Sequence, residues 1–408
     1  MRRRIPMSCY KLNVKLAQAT PLLHFQGKEL GACLRASEVK PALDRFLLAC
    51  LSKDLTLPDS WYNKENHAFH YRMTFRGCKV SEKAVSHPLY FANANTTRAV
   101  WYSSMIMDIL SLSPEKLTLE GTPMTLLDVI ARFLPPFFAL HCFGARSNKG
   151  FGSFVVKEIN RKDVPELESI DSLTKYAPTR LLYCLDYGSA PESKTVLDEI
   201  ALLSDIMKGG VNETHGNPKS DLYLKGLIFQ YFMETSEREI HTEKALIKNK
   251  LLNDPQAQEE DAYVQEVFGK KKPQQESYRY IRALLGLPGV YQYKIDPDNH
   301  NSYRAGKVFL KDVNRQVERF ENPVHYKPHG RYLLIIPQNI PRALLGADFS
   351  FYLKGEGGQM LRAERIQTPK EFSLDDFLQY FCKRIKEDES VYRFLGGPRE
   401  ISRFPAHP

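Results

Sequence analysis

Apolar and polar residues alternate along the start of the chain. From Tyr10 to Leu16 every second residue is apolar, and lysine or asparagine stands between them. This period of two predicts a half-buried strand. Residues 37–52 instead place apolar side chains at the three- and four-residue spacing of an amphipathic helix. Strand-like alternation returns at 69–80 and near 99–107.

A second helix is predicted over residues 122–140, broken by Pro135 and Pro136. A glycine-rich run follows it, and residues 153–159 alternate as a strand. The first part of the chain thus has the order strand, helix, strands, helix, loop and strand. This order favours an α+β fold built on an antiparallel sheet.

The second part of the chain begins the same order again. A strand is predicted over 179–188 and a helix over 194–210, which Gly209 and Gly210 end. Further helical segments are predicted over 220–235 and 241–280, and a final helix over 373–388. Short strands are predicted over the ranges 289–295, 313–328 and 330–337.

Residues 160–178 are polar and without a period, which is typical of a linker. A chain of 408 residues also exceeds the usual size of one domain. We therefore predict an N-terminal domain over 1–165 and a C-terminal domain over 166–408, with an insertion at about 215–305.

The charge of the chain adds a candidate partner. Lysine and arginine exceed aspartate and glutamate by 57 to 48, and the net charge is +9. Such an excess of positive charge favours binding to a polyanionic partner, although a basic enzyme that binds no polymer has the same composition. The seven cysteines form no C-x-x-C pair. They indicate a reduced, cytoplasmic protein rather than a zinc or disulfide framework.

Targeting and membrane signals are weak. The basic start of the chain is followed by residues 10–16, where lysines and an asparagine interrupt the apolar positions, which argues against a signal peptide. The chain also lacks an apolar run of about 18 residues, so no membrane span is predicted.

The run HCFGARSNKGFGSF, residues 141–154, is the strongest candidate site. It lacks the lysine–hydroxyl pair of a Walker A loop and the spacing of a dinucleotide fingerprint. It also lies between a helix and a strand, the reverse of the order in both motifs. Two interpretations of the run remain, a tight turn and a loop that binds a nucleic-acid backbone. In a binding loop, the glycines would let the main chain approach the nucleic acid closely, while Arg146 and Lys149 supply positive charge.

This run resembles the glycine-rich loop of the RAMP superfamily of CRISPR-associated proteins, G-x-R-x-x-x-G-x-G-S. Gly144, Arg146, Gly150, Gly152 and Ser153 match it. Looser similarity covers about 10–52, 180–210 and 317–336, with Asn322-Pro323 where the family usually has Ser-Pro. The whole is most similar to the glycine-loop RAMP subunit that caps Cmr-type (type III-B) effector complexes.

The resemblance implies two ferredoxin-like (RRM-like) domains with antiparallel sheets, the second carrying a helical insertion. It implies a non-catalytic subunit that binds CRISPR RNA or target RNA beside other RAMP subunits, with no cofactor and no metal. The resemblance implies that residues in and just before the predicted first helix and in the glycine loop hold the RNA backbone, namely Arg35, Lys40, Arg45, Arg146 and Lys149. The predicted RNA-binding site of the loop also includes Gly144, Ser147, Gly150 and Gly152.

A second candidate surface comes from alternation at the end of the 317–331 segment. On a strand, His325, Lys327, His329 and Arg331 would share one face, where they would contact phosphates or simply face solvent. Two alternatives to RNA binding stay open. One is a metal-independent endoribonuclease that uses His24 or His70 as acid or base. The other is an interaction scaffold without an RNA site.

Overall fold

The computed structural model describes most of the chain, and everything below concerns these residues. They are 10–23, 33–51, 55–81, 99–165, 169–212, 223–236, 240–247, 251, 278–294, 305–317, 319–354 and 360–405. The chain divides into two compact units. The first unit comprises Met1–Ala201, His325–Pro337 and Ile401–Pro408, and the second comprises Leu202–Val324 and Gln338–Glu400. The predicted domains 1–165 and 166–408 stay a prediction.

The elements up to the middle of the chain are these. The strands are β1 Lys11–Gln18, β2 Leu22–Leu23, β3 Tyr62–Asn63, β4 Ala68–Phe69, β5 Arg72–Val80, β6 Ala99–Val100, β7 Tyr102–Leu110, β8 Lys116–Leu119, β9 Thr122–Thr125, β10 Phe154–Ile159, β11 Lys162–Asp163 and β12 Leu182–Asp186. The helices are α1 Ala36–Cys50, α2 Leu126–Leu140, α3 Asp171–Thr174 and α4 Ser193–Lys208.

The remaining elements complete the chain. The strands are β13 Val211–Asn212, β14 Tyr223–Leu224, β15 His241–Thr242, β16 Tyr278–Arg279, β17 Val290–Lys294, β18 Ala305–Asp312, β19 Val324–His329, β20 Tyr332–Pro337, β21 Asp348–Lys354, β22 Met360–Gln367 and β23 Ile401–Phe404. The helices are α5 Leu227–Thr235, α6 Glu243–Ile247, α7 Leu374–Glu387 and α8 Glu389–Tyr392, and 3₁₀ turns span Ile281–Leu285, Arg342–Leu344 and Arg393–Leu395.

The first sheet of the first unit has the strand order β11-β10-β1-β7-β5, and every pair in it is antiparallel. Its four long strands therefore lie in the order fourth, first, third, second along the chain. The apolar faces of α1 and α2 join the core of this sheet, where Leu43, Leu47 and Phe137 are fully buried. Each such side chain contributes about 1.5–3 kcal/mol by leaving water.

Helix α2 corrects one prediction. Thr125 caps it in a reciprocal pair of hydrogen bonds with Asp128, and it then runs unbroken through Pro135 and Pro136 to Leu140. An interior proline costs about 3 kcal/mol. Ten of the fifteen residues of α2 are buried, so apolar burial along the helix outweighs that cost.

The second sheet of the first unit has the order β19-β20-β12-β23. The β12–β20 and β12–β23 pairs are antiparallel. Read from its other edge, the order is again fourth, first, third, second. The mixed α+β class with antiparallel sheets is thereby confirmed.

The second unit contains a six-stranded sheet of order β15-β16-β22-β21-β18-β17. Strands β15, β16 and β22 are parallel neighbours, and the other pairs are antiparallel. The described part of the predicted helical insertion therefore supplies three strands of this sheet, β15, β16 and β17, and it also contains β14, α5 and α6. The predicted final helix is confirmed as α7, whose cap Ser373 accepts a hydrogen bond from the Asp376 amide at 3.2 Å.

Candidate nucleic-acid interface

Residues 144–152 form consecutive turns between α2 and β10. Their backbone is tied to other segments of the first unit. The Ala145 amide donates to the Leu23 carbonyl at 2.8 Å, and the Gly152 amide donates to the Pro21 carbonyl at 2.8 Å. The Gly144 amide donates to the Glu38 carboxylate at 2.5 Å. The loop is thus held in one shape by β2 and by the first turn of α1.

Thr20 fixes the far side of the loop. Its hydroxyl donates to the Gly150 carbonyl at 2.5 Å and accepts from the Ser153 amide at 3.0 Å. The buried Ser153 hydroxyl donates in turn to the Pro328 carbonyl at 2.6 Å. Thr20 and Glu38 were not among the predicted site residues. The sequence shows a Thr-Pro step at residues 20 and 21, immediately after the predicted first strand.

The glycines of the loop are required by the protein itself. Gly144, Gly150 and Gly152 all have positive φ, of 82°, 79° and 67°. A Cβ on Gly144 would lie 2.6 Å from the Leu23 carbonyl oxygen, and one on Gly152 would lie 1.9 Å from the Phe143 carbonyl oxygen. These glycines therefore allow two segments of this chain to pack closely against each other.

The cations of the loop have different surroundings. Arg146 is exposed and sits in the left-handed region with φ 58°, while Lys149 is half-buried. The Lys149 amide donates to the Arg146 carbonyl at 2.9 Å, and the carbonyl of Ser147 accepts from the Gly150 amide at 3.2 Å. Phe151 is buried, so it does not offer a ring for stacking on a base.

Helix α1 brings two more predicted residues to this side of the unit. Arg35 is the exposed residue before its first turn, three positions ahead of Glu38, which contacts the loop. Arg45 is exposed further along the helix. Lys40 is different, because its ammonium binds the Asp44 carboxylate at 2.7 Å and the Phe69 carbonyl at 2.8 Å. That lysine serves the packing of α1.

The stripe predicted on 325–331 is not one surface. Lys327 is 1% exposed, and its ammonium donates to the carbonyls of His141 and Phe154, both at 2.9 Å. His325 and His329 are half-buried. Arg331 lies in the β19–β20 turn, outside the strand, and pairs with Asp186 at 3.1 Å. The alternation fails because β19 is buried on both faces, so both sets of its side chains point into protein.

Burial and nearby positive charges shift the pKa of the His141 side chain. Its pKa is lowered to about 4, chiefly because the ring is buried, and the charges of Lys327, His325 and Arg45 contribute to this lowering. Its ring lies against Phe137 with the ring centres 4.5 Å apart. The structure thus gathers the cations of α1 and β19 around the end of α2, immediately before the loop.

The outward face of the first sheet is occupied by ion pairs. Asp108 on β7 accepts from Arg76 at 2.6 Å and from Lys11 at 3.0 Å, and Asn13 donates to it at 2.9 Å. These contacts lower the pKa of Asp108 to about 2 against the effect of its burial. RNA-binding sheets of the RRM type expose aromatic side chains for base stacking. This face presents ion pairs instead.

The ribonuclease residues are only partly described. His24 lies outside the described residues. His70 is exposed, and its backbone amide donates to the Trp61 carbonyl at 2.7 Å. In the described ranges no three histidine, cysteine, aspartate or glutamate side chains could hold a metal ion. None of the helices in those ranges is long and apolar enough to cross a bilayer.

Two protein-family models match this chain and agree with the sequence resemblance. The family model of the Cmr1 N-terminal domain matches residues 9–211, and that of the Cmr1 C-terminal domain matches residues 223–393. None of the curated proteins matches the sequence. A chain in the cryo-EM structure of the type III-B Cmr-beta bound to cognate target RNA and AMPPnP is similar with 12% identity and a TM-score of 0.30, over 80% of this chain and 94% of that chain. The family models, which span both halves of the sequence, carry the assignment.

Proposed function

Because this chain belongs to the Cmr1 family of CRISPR-associated RAMP proteins, we propose that it is a cytoplasmic RNA-binding subunit of a type III effector complex. It holds the backbone of guide or target RNA in antiviral defence, beside other RAMP subunits. Binding and positioning are its role, and catalysis by this chain is not part of the proposal.

The observation that carries this proposal is Arg146, an exposed guanidinium at the turn of a loop that hydrogen bonds hold in one shape. A fixed loop loses little conformational freedom when it binds, so its charges are already in place for phosphates. Arg35, immediately before α1, and Arg45 on α1 extend the basic surface, with Lys149 in the same loop as Arg146. Lys327 and Lys40 are left out, because protein acceptors already bind both of them.

We also propose that both sheets of the first unit are ferredoxin-like (RRM-like). The strand order fourth, first, third, second, found in each of them, supports this. The ion pairs on the outward face of the first sheet favour an RNA path over the glycine loop rather than across the sheet. The division at residues 165 and 166 belongs to the same proposal, with each half contributing one such fold.

Replacing Arg146 and Lys149 together by alanine should weaken binding of single-stranded RNA about ten-fold at moderate salt. If both cations contact phosphates, the slope of log affinity against log salt should fall by about 1.4, since each contact on a single strand contributes about 0.7. Fluorescence anisotropy with a labelled RNA, repeated over a series of salt concentrations, measures both quantities.

The matched control removes two exposed lysines elsewhere, in the variant Lys64→Ala/Lys116→Ala. It lowers the net charge equally, so it should leave the affinity nearly unchanged and the slope as in the wild type. If the two double variants show the same RNA affinity and the same salt slope, the loop does not bind the RNA backbone and the chain acts as an interaction scaffold.

Arg146→Gly separates function from stability. A non-glycine residue in the left-handed region costs about 1 kcal/mol, so glycine at φ 58° should raise the free energy of unfolding by up to that amount. Glycine's larger loss of backbone entropy offsets part of the gain. The same change removes the guanidinium and should weaken RNA binding. Urea unfolding and anisotropy on one preparation test this. A variant that is more stable and binds RNA normally would contradict the role of Arg146.

A further inference from the structure

A cavity of about 540 Å³ lies in the first unit, away from the glycine loop. One face of α2, strand β10, helix α3, the 188–190 loop and the β19–β20 turn line it, and none of residues 144–152 does. Its size is within the range of pockets that hold small organic ligands.

The cavity is strongly basic. Four exposed cations line it, Arg132, Lys157, Lys175 and Arg331, and no aspartate or glutamate is among its described lining residues. Arg132 pairs with the exposed Glu120, and Arg331 pairs with Asp186. Such surface pairs contribute little free energy, and a phosphate accepts the same bidentate hydrogen bonds from arginine as a carboxylate does. Lys157 and Lys175 make no ion pair with any described residue, so the cavity carries excess positive charge.

Its inner walls are apolar and partly aromatic. Pro135, Pro136 and Val156 contribute aliphatic surface, and the half-buried rings of Tyr176 and Tyr332 reach the cavity. Phe133 meets the Tyr176 ring edge to face at 5.9 Å between ring centres, which fixes that tyrosine. Fixed aromatic rings beside cations are the surroundings in which proteins bind nucleotide bases and their phosphates.

Hydrogen-bonding groups for a base or a sugar are also present. Because residue 136 is a proline, the carbonyl of Arg132, a residue that lines the cavity, has no amide four residues later to bond. His329 lines the cavity, and its buried Nδ1 makes no hydrogen bond with any described residue. Burial lowers the pKa of His329 to about 4, so at neutral pH its ring is uncharged and offers one donor and one acceptor.

We propose that this cavity is a binding site for a nucleoside phosphate, with Lys157 and Lys175 on the phosphate and the tyrosines beside the base. Two ligands carry a nucleoside phosphate, a free nucleotide and a nucleotide of an RNA strand. An inorganic phosphate alone would leave most of the apolar wall uncovered.

The test titrates the full chain with AMP, GMP, CMP and UMP by isothermal calorimetry. Saturable binding of at least one nucleotide is expected, and inorganic phosphate at the same concentration should not displace it. Lys157→Ala/Lys175→Ala should weaken that binding about ten-fold. The control Lys64→Ala/Lys116→Ala, whose residues do not line the cavity, should bind as the wild type does.

The same variants titrated with single-stranded RNA separate the two sources. If Lys157→Ala/Lys175→Ala also weakens RNA binding, and the bound mononucleotide competes with RNA, the cavity takes a nucleotide of the strand. If RNA binding is unchanged, it takes a free nucleotide. Arg146→Ala/Lys149→Ala should bind mononucleotide normally, so failure of the loop proposal is distinguishable from failure of this one. Absence of saturable nucleotide binding, or binding that the cavity variant leaves unchanged, overturns the proposal.

Discussion

Gly152→Ala should destabilise the protein by about 3–5 kcal/mol, which is a large part of the stability of a typical domain. Two costs add. Alanine at φ 67° is strained, and its Cβ would lie 1.9 Å from the Phe143 carbonyl oxygen and 2.9 Å from the Phe143 carbonyl carbon. The neighbour is backbone, so no side-chain rotation relieves the contact.

The consequences should spread beyond residue 152. The Gly152 carbonyl accepts from the Phe143 amide at 3.0 Å and its own amide binds the Pro21 carbonyl, so a shift breaks the joint between the loop and β2. Ser153 follows directly, and its hydrogen bonds with Thr20 and Pro328 depend on the same backbone. Amide hydrogen exchange should show protection lost along β1 and β10.

Gly121→Ala is the matched control. Gly121 has φ 76°, and nothing lies within 4 Å of its Cβ position. Its replacement carries the backbone strain alone, about 1–2 kcal/mol. Urea unfolding of both variants compares the two costs directly. Equal losses would show that the close packing at Gly152 is not as described.

Lys327→Met should lower the free energy of unfolding by about 2 kcal/mol at pH 7. Two buried carbonyls lose their hydrogen-bond donor, and this loss is partly offset because a buried charge is removed. The wild-type ammonium is fully buried and donates to His141 and Phe154. Methionine fills a similar volume without an N–H. Lys162→Met, at an exposed lysine on β11, should change stability by less than about 0.5 kcal/mol.

The pH dependence of this difference is the sharper result. Burial lowers the pKa of Lys327 to about 8, against roughly 10.4 in an unfolded chain. Between these values the unfolded chain holds the proton and the folded chain does not, so stability due to Lys327 rises with pH. The wild-type advantage over Lys327→Met should grow by about 2.5 kcal/mol between pH 7 and pH 10. The neutral amine keeps two N–H groups for the two carbonyls.

Comparing the two proteins at each pH removes the titration of other groups. The pKa values of His141 and His329 lie near 4, far below this window, and burial raises the pKa of the neighbouring Cys142 thiol. Unfolding curves at pH 7, 8, 9 and 10 suffice. A difference that stays constant or falls with pH would contradict a buried, charged Lys327.

The local elements and the family could be predicted from the amino-acid sequence alone. Period-two alternation located β1, helical spacing located α1 and α7, and the spacing of Gly144, Arg146, Gly150 and Gly152 indicated the RAMP loop. These signals are readable because each depends on residues close along the chain. The same local reasoning misjudged α2, since the burial that outweighs its two prolines is a property of the whole unit.

The contacts of the candidate residues could not be predicted in this way and become visible in the folded chain. Lys327 and Arg331 look alike in sequence, yet one is buried beneath carbonyls and the other lies in an exposed turn. The glycines suit RNA contact and tight packing equally well until Phe143 and Leu23 are seen against them. Likewise Lys157 and Lys175 become neighbours of one cavity only after strand and helix meet. The burial of a side chain and the charge around it depend on segments that are distant in sequence, so a local sequence pattern does not predict them.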